Sequence, residues 1–367
     1  MALVVGGKGV RAQVNAKNIA INGDMTISQR STSVASITSS GYYTVDRYKF
    51  SDNSDATITM SQESLTSGNA YTDGFANALK VDVTTADSSL ASGQYALISQ
   101  AIEGQDLQLL KKGTANAETL TVAFWVKATK TGTSIFEIFD NDNTRQVSKA
   151  FTISSSDTWE KKVLNFPADT TGALDDDNAV SLYFQWYLCA GSDYTSGTLS
   201  ETWTGNTGAN RVVGQVNHFD SASNNFHITG FQIEVGTFSS TTLPPFQHES
   251  YGDNLMRCYR YFEHTGSEGN IMVASGQTTG NTTMVCHLHY HPKRAAPAIT
   301  LGTALCTNQH NGVAGNVTGK STSNITDTDC EFRITHAAGT ANFAHAQGMS
   351  NVVMNNTGDG LKIDAEL

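Results

Sequence analysis

The histidines near residue 290 have a spacing that could hold a metal ion. The stretch HLHYH places His287, His289 and His291 at alternate positions, and alternate residues of a β-strand point to the same face. Imidazole nitrogens are common ligands of transition metals. The alternative is a polar strand face that contacts solvent or another subunit. The sequence therefore offers these three histidines as candidate metal ligands.

Two runs of acidic and amide residues could bind a harder cation. DNDN at 140–143 and DDDN at 175–178 carry oxygen atoms of the kind that bind Ca²⁺. Neither run has the spacing of a known calcium loop, and Asp and Asn are also favoured in turns because their side chains bond to nearby backbone. We expect turns at both runs and no cofactor, with Ca²⁺ or a transition metal as the alternative.

Aromatic side chains in polar loops could stack against sugar rings. Trp203 lies in the polar, glycine-containing stretch SGTLSETWTGNTG, and Tyr194 lies shortly before it. Trp125, Trp159 and Trp186 lie in apolar runs instead, and we expect them in the core. The alternative for Trp203 is a loop anchor packed on the body of the domain. Trp203 and Tyr194 are the candidate glycan contacts.

No pattern of catalytic residues is present. Glycoside hydrolysis needs two carboxylates about 5–9.5 Å apart, one with a raised pKa. Nothing in the sequence pairs the available glutamates, which are Glu103, Glu118, Glu137, Glu160 and Glu234. The motifs G-x-S-x-G and H-E-x-x-H and the P-loop do not occur. The sequence predicts that the protein is not an enzyme.

Composition and charge argue against several kinds of partner. The chain has 23 basic and 34 acidic residues, a net charge of −11 and no basic cluster, so we expect no nucleic-acid binding. No apolar run approaches the roughly 20 residues that span a bilayer, so we expect no membrane insertion. The start, MALVVGGKGV, lacks the features of a secretory signal. Five cysteines without C-x-x-C spacing are expected as buried free thiols.

Short apolar runs bounded by Gly, Asn, Asp and Ser recur from residue 18 to about residue 246. This pattern is typical of an antiparallel β-sandwich. The predicted strands are 45–50, 56–60, 78–85, 119–128, 134–140, 159–166, 180–190 and 225–235. One short helix is predicted at 104–113, because Gly113 suits a left-handed stop after two lysines.

The chain changes character after two prolines in LPPFQHESYG. A helix is predicted at 253–263, where Asp253 could cap it and apolar residues recur with helical spacing. Strands are then predicted at 284–291, 296–302 and 330–336, with a final edge strand in the last ten residues. We therefore predict an all-β chain with an N-terminal attachment arm (1–17), an antiparallel β-sandwich (18–250), a linking helix (251–263) and a smaller C-terminal β domain (264–367).

Several motifs, in order, resemble segments of bacteriophage and prophage virion proteins. NIAINGDMTISQR followed by GYYTVDRYKF resembles the group's NGDM-ISQR segment and its Gly-Tyr-x-x-Asp-Arg-Trp/Tyr strand. Later segments of the group are similar to residues 97–133, 157–172 and 226–263. The resemblance covers roughly residues 18–263. The stretches FWVKA, TWEKK and FHITGFQIEV also resemble carbohydrate-binding modules, which implies a jelly-roll fold for the sandwich.

The resemblance implies a virion structural protein, expected as a tail or head fibre. Such a fibre is expected to be homotrimeric, to contact other virion proteins through the arm at 1–17, and to bind host-surface glycan. It would be made in the host cytoplasm and released by lysis. In a trimer the histidine pairs would supply six nitrogens, similar to His-x-His iron sites at phage spike tips. The alternatives are a capsid-decorating or tail-joining protein without receptor binding, and a polysaccharide depolymerase.

Overall fold

Nearly all regular structure is β-strand, which confirms the predicted all-β fold class. The computed structural model describes residues 18–265, 271–278, 283–302, 305–308, 314–336, 349–354 and 360–367. The predicted arm at 1–17 lies outside the described residues. No helix in these ranges is long and apolar enough to cross a lipid bilayer.

The first part of the chain contains thirteen described strands. They are β1 (Ser33–Ile37), β2 (Gly41–Tyr42), β3 (Lys49–Asp52), β4 (Thr57–Ser64), β5 (Asn77–Thr85), β6 (Tyr95–Glu103), β7 (Leu120–Ala128), β8 (Gly132–Asp140), β9 (Arg145–Ile153), β10 (Glu160–Phe166), β11 (Val180–Ala190), β12 (Thr204–Gly205) and β13 (Asn225–Val235). Two one-turn helices interrupt them, α1 (Asn69–Thr72) and α2 (Ser192–Thr195). Short 3₁₀ turns lie at Gly104–Asp106, Gln108–Leu110 and Gly208–Asn210.

These strands form a two-sheet antiparallel sandwich. The first sheet has the order β1-β4-β5-β13-β7-β10, and the second has the order β12-β9-β8-β11-β6-β3-β2. Alternate residues of each sheet meet in one apolar core, because side chains of a strand point to opposite faces in turn. Its largest fully buried side chains include Phe50, Phe124, Phe136, Phe184 and Trp186.

The segment predicted as a strand at 45–50 is a turn as far as residue 48, and β3 begins only at Lys49. Arg47 has a φ of 76°, which a strand cannot accommodate. The cause is polar, since the Asp46 carboxylate accepts a hydrogen bond from the Gln29 backbone N–H (3.0 Å) and Arg47 turns inward. Apolar alternation alone did not reveal these contacts.

The helix predicted at 104–113 is wrong, because two 3₁₀ turns replace it. Its internal backbone bonds span only three residues, as from Leu110 N–H to the Leu107 carbonyl, and other N–H groups bond to a neighbouring loop. The N–H groups of Gln105 and Gly113 donate to the carbonyls of Asp177 (3.0 Å) and Asp169 (2.9 Å). Lys112, which the prediction placed in the last turn of that helix, is buried.

The second part begins with the helix α3 (Tyr251–Tyr259) and continues with strands. Ser250 caps α3 by accepting a hydrogen bond from Asp253 N–H (3.2 Å), so the predicted cap at Asp253 is wrong by three residues. The strands are β14 (Phe262–Thr265), β15 (Ile271–Thr278), β16 (Thr283–His289), β17 (Ala298–Leu301), β18 (Leu305–Asn308), β19 (Ala314–Ser323), β20 (Asp329–His336), β21 (Met349–Met354) and β22 (Leu361–Asp364).

These strands form a small sheet and a closed barrel. The sheet has the order β14-β22-β17, and the barrel has the order β15-β16-β20-β19-β18-β21. The sequence predicted an edge strand at the end of the chain, but β22 is the central strand of its sheet. Its two partner strands, β14 and β17, lie far before it in sequence, so the order of strands along the chain does not indicate this pairing.

Charged residues attach the small sheet to the sandwich. Arg47 is fully buried, bonds to Glu366, and lies with its guanidinium carbon 3.4 Å from the centre of the Tyr261 ring. Arg30 bonds to Asp364 (3.1 Å) and to Glu366 (3.3 Å). We call these five residues the joint. The joint and α3 contact both the sandwich and the C-terminal strands. The contacts therefore do not mark a boundary, and the domain limits at 250 and 264 stay predictions.

Candidate functional site

An open groove lies on the outer face of the second sheet. It is lined by residues of β3, β6, β11, α2 and the segment after the third 3₁₀ turn, namely Lys49, Ser51, Tyr95, Leu97, Ser99, Tyr183, Gln185, Tyr187, Tyr194 and Arg211. Its empty volume is about 590 Å³, part of it open to solvent. We call it the tyrosine groove.

The alternation of β11 places the aromatic and amide groups in the groove. Tyr183, Gln185 and Tyr187 lie on the outer face, where Tyr183 is half-buried and the other two are buried. Phe184 and Trp186 on the other face are fully buried in the sandwich core. This arrangement follows from the period of two along a strand. One strand therefore supplies both a core and a ligand-facing surface.

Strand register places a row of polar side chains across the base of the groove. Glu137 on β8 lies opposite Gln185, and Gln185 lies opposite Ser99 on β6. Ser99 in turn lies opposite Lys49 on β3. Tyr183 and Tyr187 lie two residues before and after Gln185, so one aromatic ring flanks each side of this polar row.

A buried ion pair holds one end of the polar row. Arg211 Nε lies 2.9 Å from Glu137 Oε1, and Arg211 Nη2 lies 2.5 Å from Glu137 Oε2. Arg211 Nη2 also donates to Gln185 Oε1 (3.2 Å), and the Tyr187 hydroxyl donates to Glu137 Oε2 (3.3 Å). Burial opposes the charge of Arg211, but the Glu137 carboxylate outweighs it and raises the pKa of Arg211 above its ordinary value.

Three tyrosines that line the groove, Tyr183, Tyr187 and Tyr194, stay protonated near neutral pH. Burial raises the pKa of Tyr183 and of Tyr194 and, most strongly, that of Tyr187. Tyr194 also packs edge-on against Tyr95, with ring centres 5.5 Å apart. The groove therefore presents the neutral hydroxyl groups and the half-buried rings of Tyr183 and Tyr194.

This set of groups suits a ligand that has both apolar faces and many hydroxyl groups. Aromatic rings provide flat apolar contact area with a polar edge. Amide, hydroxyl and guanidinium groups supply donors and acceptors that fix orientation. A sugar ring has both an apolar face and hydroxyl groups, and the open groove can accommodate a chain of sugar rings.

The structure separates the two predicted glycan contacts. Tyr194 lies in the tyrosine groove, whereas Trp203 is not among the residues that line it. The Trp203 indole N–H donates to the carbonyl of Pro167 (2.9 Å), and its ring packs on the sandwich core. The ammonium of Lys112 lies 4.8 Å from the centre of that ring. Trp203 is thus placed as the loop anchor that the sequence offered as its alternative.

The acidic run at 140–143 forms the turn between β8 and β9. Its first carboxylate, that of Asp140, is fully buried and bonds to the ammonium of Lys112. Lys112 lies 3.0 Å from Asp169 as well. A lysine thus supplies the positive charge at the position where the sequence offered Ca²⁺ as an alternative.

The three candidate metal ligands do not share one strand face, so this part of the prediction is corrected. His287 and His289 are exposed on β16 with ring centres 5.9 Å apart. His291 lies beyond the strand, because Glu263 accepts hydrogen bonds from the His291 backbone N–H (3.1 Å) and the Lys293 ammonium (2.9 Å). Across the described ranges, no group of three or more His, Cys, Asp or Glu side chains is placed to hold a metal ion.

Most residues of the groove were missed by the sequence analysis, although a signal was available. In VSLYFQWYLCA, Tyr183, Gln185 and Tyr187 alternate with apolar residues, which indicates an aromatic and polar outer face. Nothing comparable indicated Arg211, which lies in a loop, or Lys49. Their places depend on contacts between segments that are distant in sequence.

The fold and the groove define a two-sheet β-sandwich with an aromatic-lined groove on one outer face. No family model matches the chain, and no curated protein matches its sequence. Among solved structures, the chain is similar to the enzymatically active domain of tailspike protein 4 of bacteriophage CBA120, with 12% identity and a TM-score of 0.31. That match covers 59% of this chain and 21% of the tailspike chain.

Two further similar structures are named for sugar or carbohydrate binding. One is a putative sugar binding protein from Bacteroides thetaiotaomicron, with 14% identity, a TM-score of 0.31, and coverage of 60% of this chain and 100% of that chain. The other is a family 11 carbohydrate-binding module from Clostridium thermocellum in complex with a β-1,3-1,4-mixed-linked tetrasaccharide. Its identity is 13% and its TM-score 0.27, with coverage of 56% and 96%.

Proposed function

We propose that this chain is the glycan-binding subunit of a virion appendage. The observation that carries the glycan-binding part is the tyrosine groove, where the half-buried rings of Tyr183 and Tyr194 lie beside a row of hydrogen-bonding groups. Aromatic faces beside fixed donors and acceptors are suited to sugar rings. The protein would then bind polysaccharide on a host surface.

The virion part of the proposal is supported by the sequence motifs. In this chain the NGDM-ISQR segment and the GYYTVDRYKF segment after it supply two residues of the joint, Arg30 and Arg47. Gln29 donates to the carbonyl of Phe262 (2.9 Å), and Arg30 and Arg47 bond to Glu366. The motif that resembles phage virion proteins thus connects the sandwich to the C-terminal part of the chain. We propose that the protein is made in the host cytoplasm and reaches the virion before lysis.

We further propose a homotrimer attached to the particle through residues 1–17. A single open groove gives a weak site, because association costs must be met by one small contact area. Display of several grooves on one particle raises the effective affinity without new contacts. Multicopy attachment is therefore the arrangement that makes such a groove useful for host recognition.

The groove supports binding rather than hydrolysis. Hydrolysis of a glycosidic bond uses two carboxylates on either side of the bond. Among the described lining residues there is no Asp or Glu, and the carboxylate beneath them, Glu137, is bound to Arg211. We therefore propose a binding role without a catalytic step.

The test is binding of the labelled protein to an array of neutral and acidic glycans. We expect binding to at least one glycan, and we expect Tyr183→Ala to weaken it about tenfold because one aromatic face is lost. Tyr71→Ala is the matched control, since Tyr71 is an exposed tyrosine on α1, beside the first sheet.

Equal loss in both tyrosine variants, or no binding to any glycan, would contradict the proposal. Immunogold labelling of purified particles tests the virion part separately. Label on an appendage supports it. Label confined to the capsid shell supports the capsid-decorating alternative, and particles without label exclude both.

A further inference from the structure

The charged residues that line the tyrosine groove are cationic, although the chain as a whole is acidic. Lys49 and Arg211 line it, and no Asp or Glu side chain does so among the described lining residues. The whole chain has 34 acidic against 23 basic residues. Glu137 compensates the charge of Arg211, so the uncompensated charge at the groove is that of Lys49. A positive charge at this short range favours an anionic ligand.

Lys49 has an ammonium group without a carboxylate partner. It makes a cation–π contact with the Tyr42 ring, whose centre lies 5.8 Å from the ammonium nitrogen. Within the described part of the chain Lys49 forms no ion pair, whereas Lys80, Lys112 and Lys161 all do. Its charge is therefore available to a ligand.

Arg211 has one free edge that the protein holds in place. Its Nε and Nη2 atoms bond to Glu137 and Gln185, and its Nη1 atom has no hydrogen-bond partner in the described ranges. A guanidinium that is already fixed loses little entropy when a ligand binds to its remaining N–H groups. Glu137 thus orients the free edge of Arg211 at the groove.

We propose that the tyrosine groove binds an acidic polysaccharide whose sugar rings carry carboxylate groups. Lys49 lies two strands away from Gln185 in the polar row, about 10 Å at the usual strand spacing, and Arg211 contacts Gln185. The two cations therefore stand at opposite ends of this row. Carboxylates of the polysaccharide accept charge-assisted hydrogen bonds from both cations while one of its rings stacks on the half-buried Tyr183. This inference rests on the proposed glycan-binding function.

The test compares polygalacturonate, hyaluronate and alginate with the carboxyl-reduced, neutral form of each polymer, by affinity electrophoresis of the full chain. We expect at least one acidic polymer to bind and its reduced form to bind about tenfold more weakly, since a charge-assisted hydrogen bond is lost. Lys49→Met should weaken binding of the acidic polymer by a similar factor, and Lys49→Arg should restore it. Arg211 is left intact because its loss would leave Glu137 buried and unpaired.

Lys161→Met is the matched control, because it removes one charge from β10 of the first sheet and should not change binding. Equal binding of acidic and reduced polymers, lost in Tyr183→Ala, would overturn the inference and leave the groove as a neutral-glycan site. Binding to none of the acidic polymers also overturns the inference. The proposed function itself fails if the glycan array shows no neutral or acidic ligand, or if Tyr183→Ala and Tyr71→Ala weaken binding equally.

Discussion

The amide of Asn22 fixes the loop at the start of the sandwich. Its Oδ1 accepts from the Ile27 backbone N–H (2.9 Å), and its Nδ2 donates to the carbonyls of Ile27 (2.9 Å) and Asp46 (3.0 Å). Asn22 has a φ of 56°, a conformation that Asn tolerates better than most residues. Asn22 therefore ties this loop to the turn that contains Asp46.

His218 makes the stability of the sandwich depend on pH. It is buried with its Nε2 2.9 Å from Ser134 Oγ, and Lys130 and Asp220 are the charged groups that act on it. Burial, assisted by Lys130, lowers the pKa of His218 from 6.5 to about 3. Between these pH values His218 is protonated in the unfolded chain and neutral in the folded chain. The free energy of unfolding therefore falls as the pH falls from about 6.5 towards about 3. At pH 5 the expected loss from this group is about 2 kcal/mol.

The check is denaturant unfolding of the wild type and of His218→Gln at several pH values. The Gln variant cannot take up the proton, so its stability should fall less between about pH 7 and pH 5. Other titrating groups are common to both proteins and cancel in the difference. Parallel curves for the two proteins would show that His218 does not cause the dependence.

At the scale of elements, the end of β22 and the residues that follow it attach the small sheet to the sandwich. Glu366 is nearly buried beside Arg47, while Asp364 is substantially exposed. We expect Glu366→Gln to lower the free energy of unfolding by about 3 kcal/mol, because it leaves the buried guanidinium of Arg47 without its counter-charge. Asp364→Asn should cost less than about 1 kcal/mol, since exposed ion pairs are weak.

Thermal unfolding of the two variants measures this difference, and the two substitutions are matched because both side chains bond to Arg30. Hydrogen exchange of the Ala365 amide, which donates to the Tyr261 carbonyl (2.7 Å), reports locally on the joint. The argument fails if the two variants are equally stable and exchange equally fast.

The sequence predicted elements well where one face of a strand is apolar and the other polar. It predicted 180–190, and the structure has β11 at those residues. It missed β6 as a strand, because all but one of its residues are buried and no alternation is visible. It likewise missed the turn at Arg47, because the contacts that hold it, Gln29 with Asp46 and Arg47 with Glu366, join segments that are distant in sequence.

The candidate site was less predictable than the fold. Tyr194 was found because it is an aromatic residue in a polar context. Lys49 and Arg211 gave no local signal, because their significance depends on strand register and on the buried Glu137. The metal prediction at His287, His289 and His291 assumed a longer strand than β16, which ends where Glu263 binds the following backbone.

For the whole molecule, the proposed appendage predicts a trimer in solution. Light scattering of the purified chain should give three times its own mass, because fibre subunits of the kind that it resembles associate in threes. The same experiment on Glu366→Gln tests whether assembly needs an intact joint. A clean monomer of the wild type at micromolar concentration would rule out the trimer.

The central place of β22 also sets an order of events during synthesis. Its two partner strands and the sandwich residues Arg30 and Arg47 leave the ribosome long before Glu366 does. The sandwich can fold around its own core early, because domains fold as units while the chain grows. Until Glu366 is synthesised, the guanidinium of Arg47 is solvated or bonded to another group. A polypeptide truncated before Glu366 would therefore have a folded sandwich and a C-terminal part that is not held on it. Cellular proteases would cleave that unattached part more readily than the same part held by the joint.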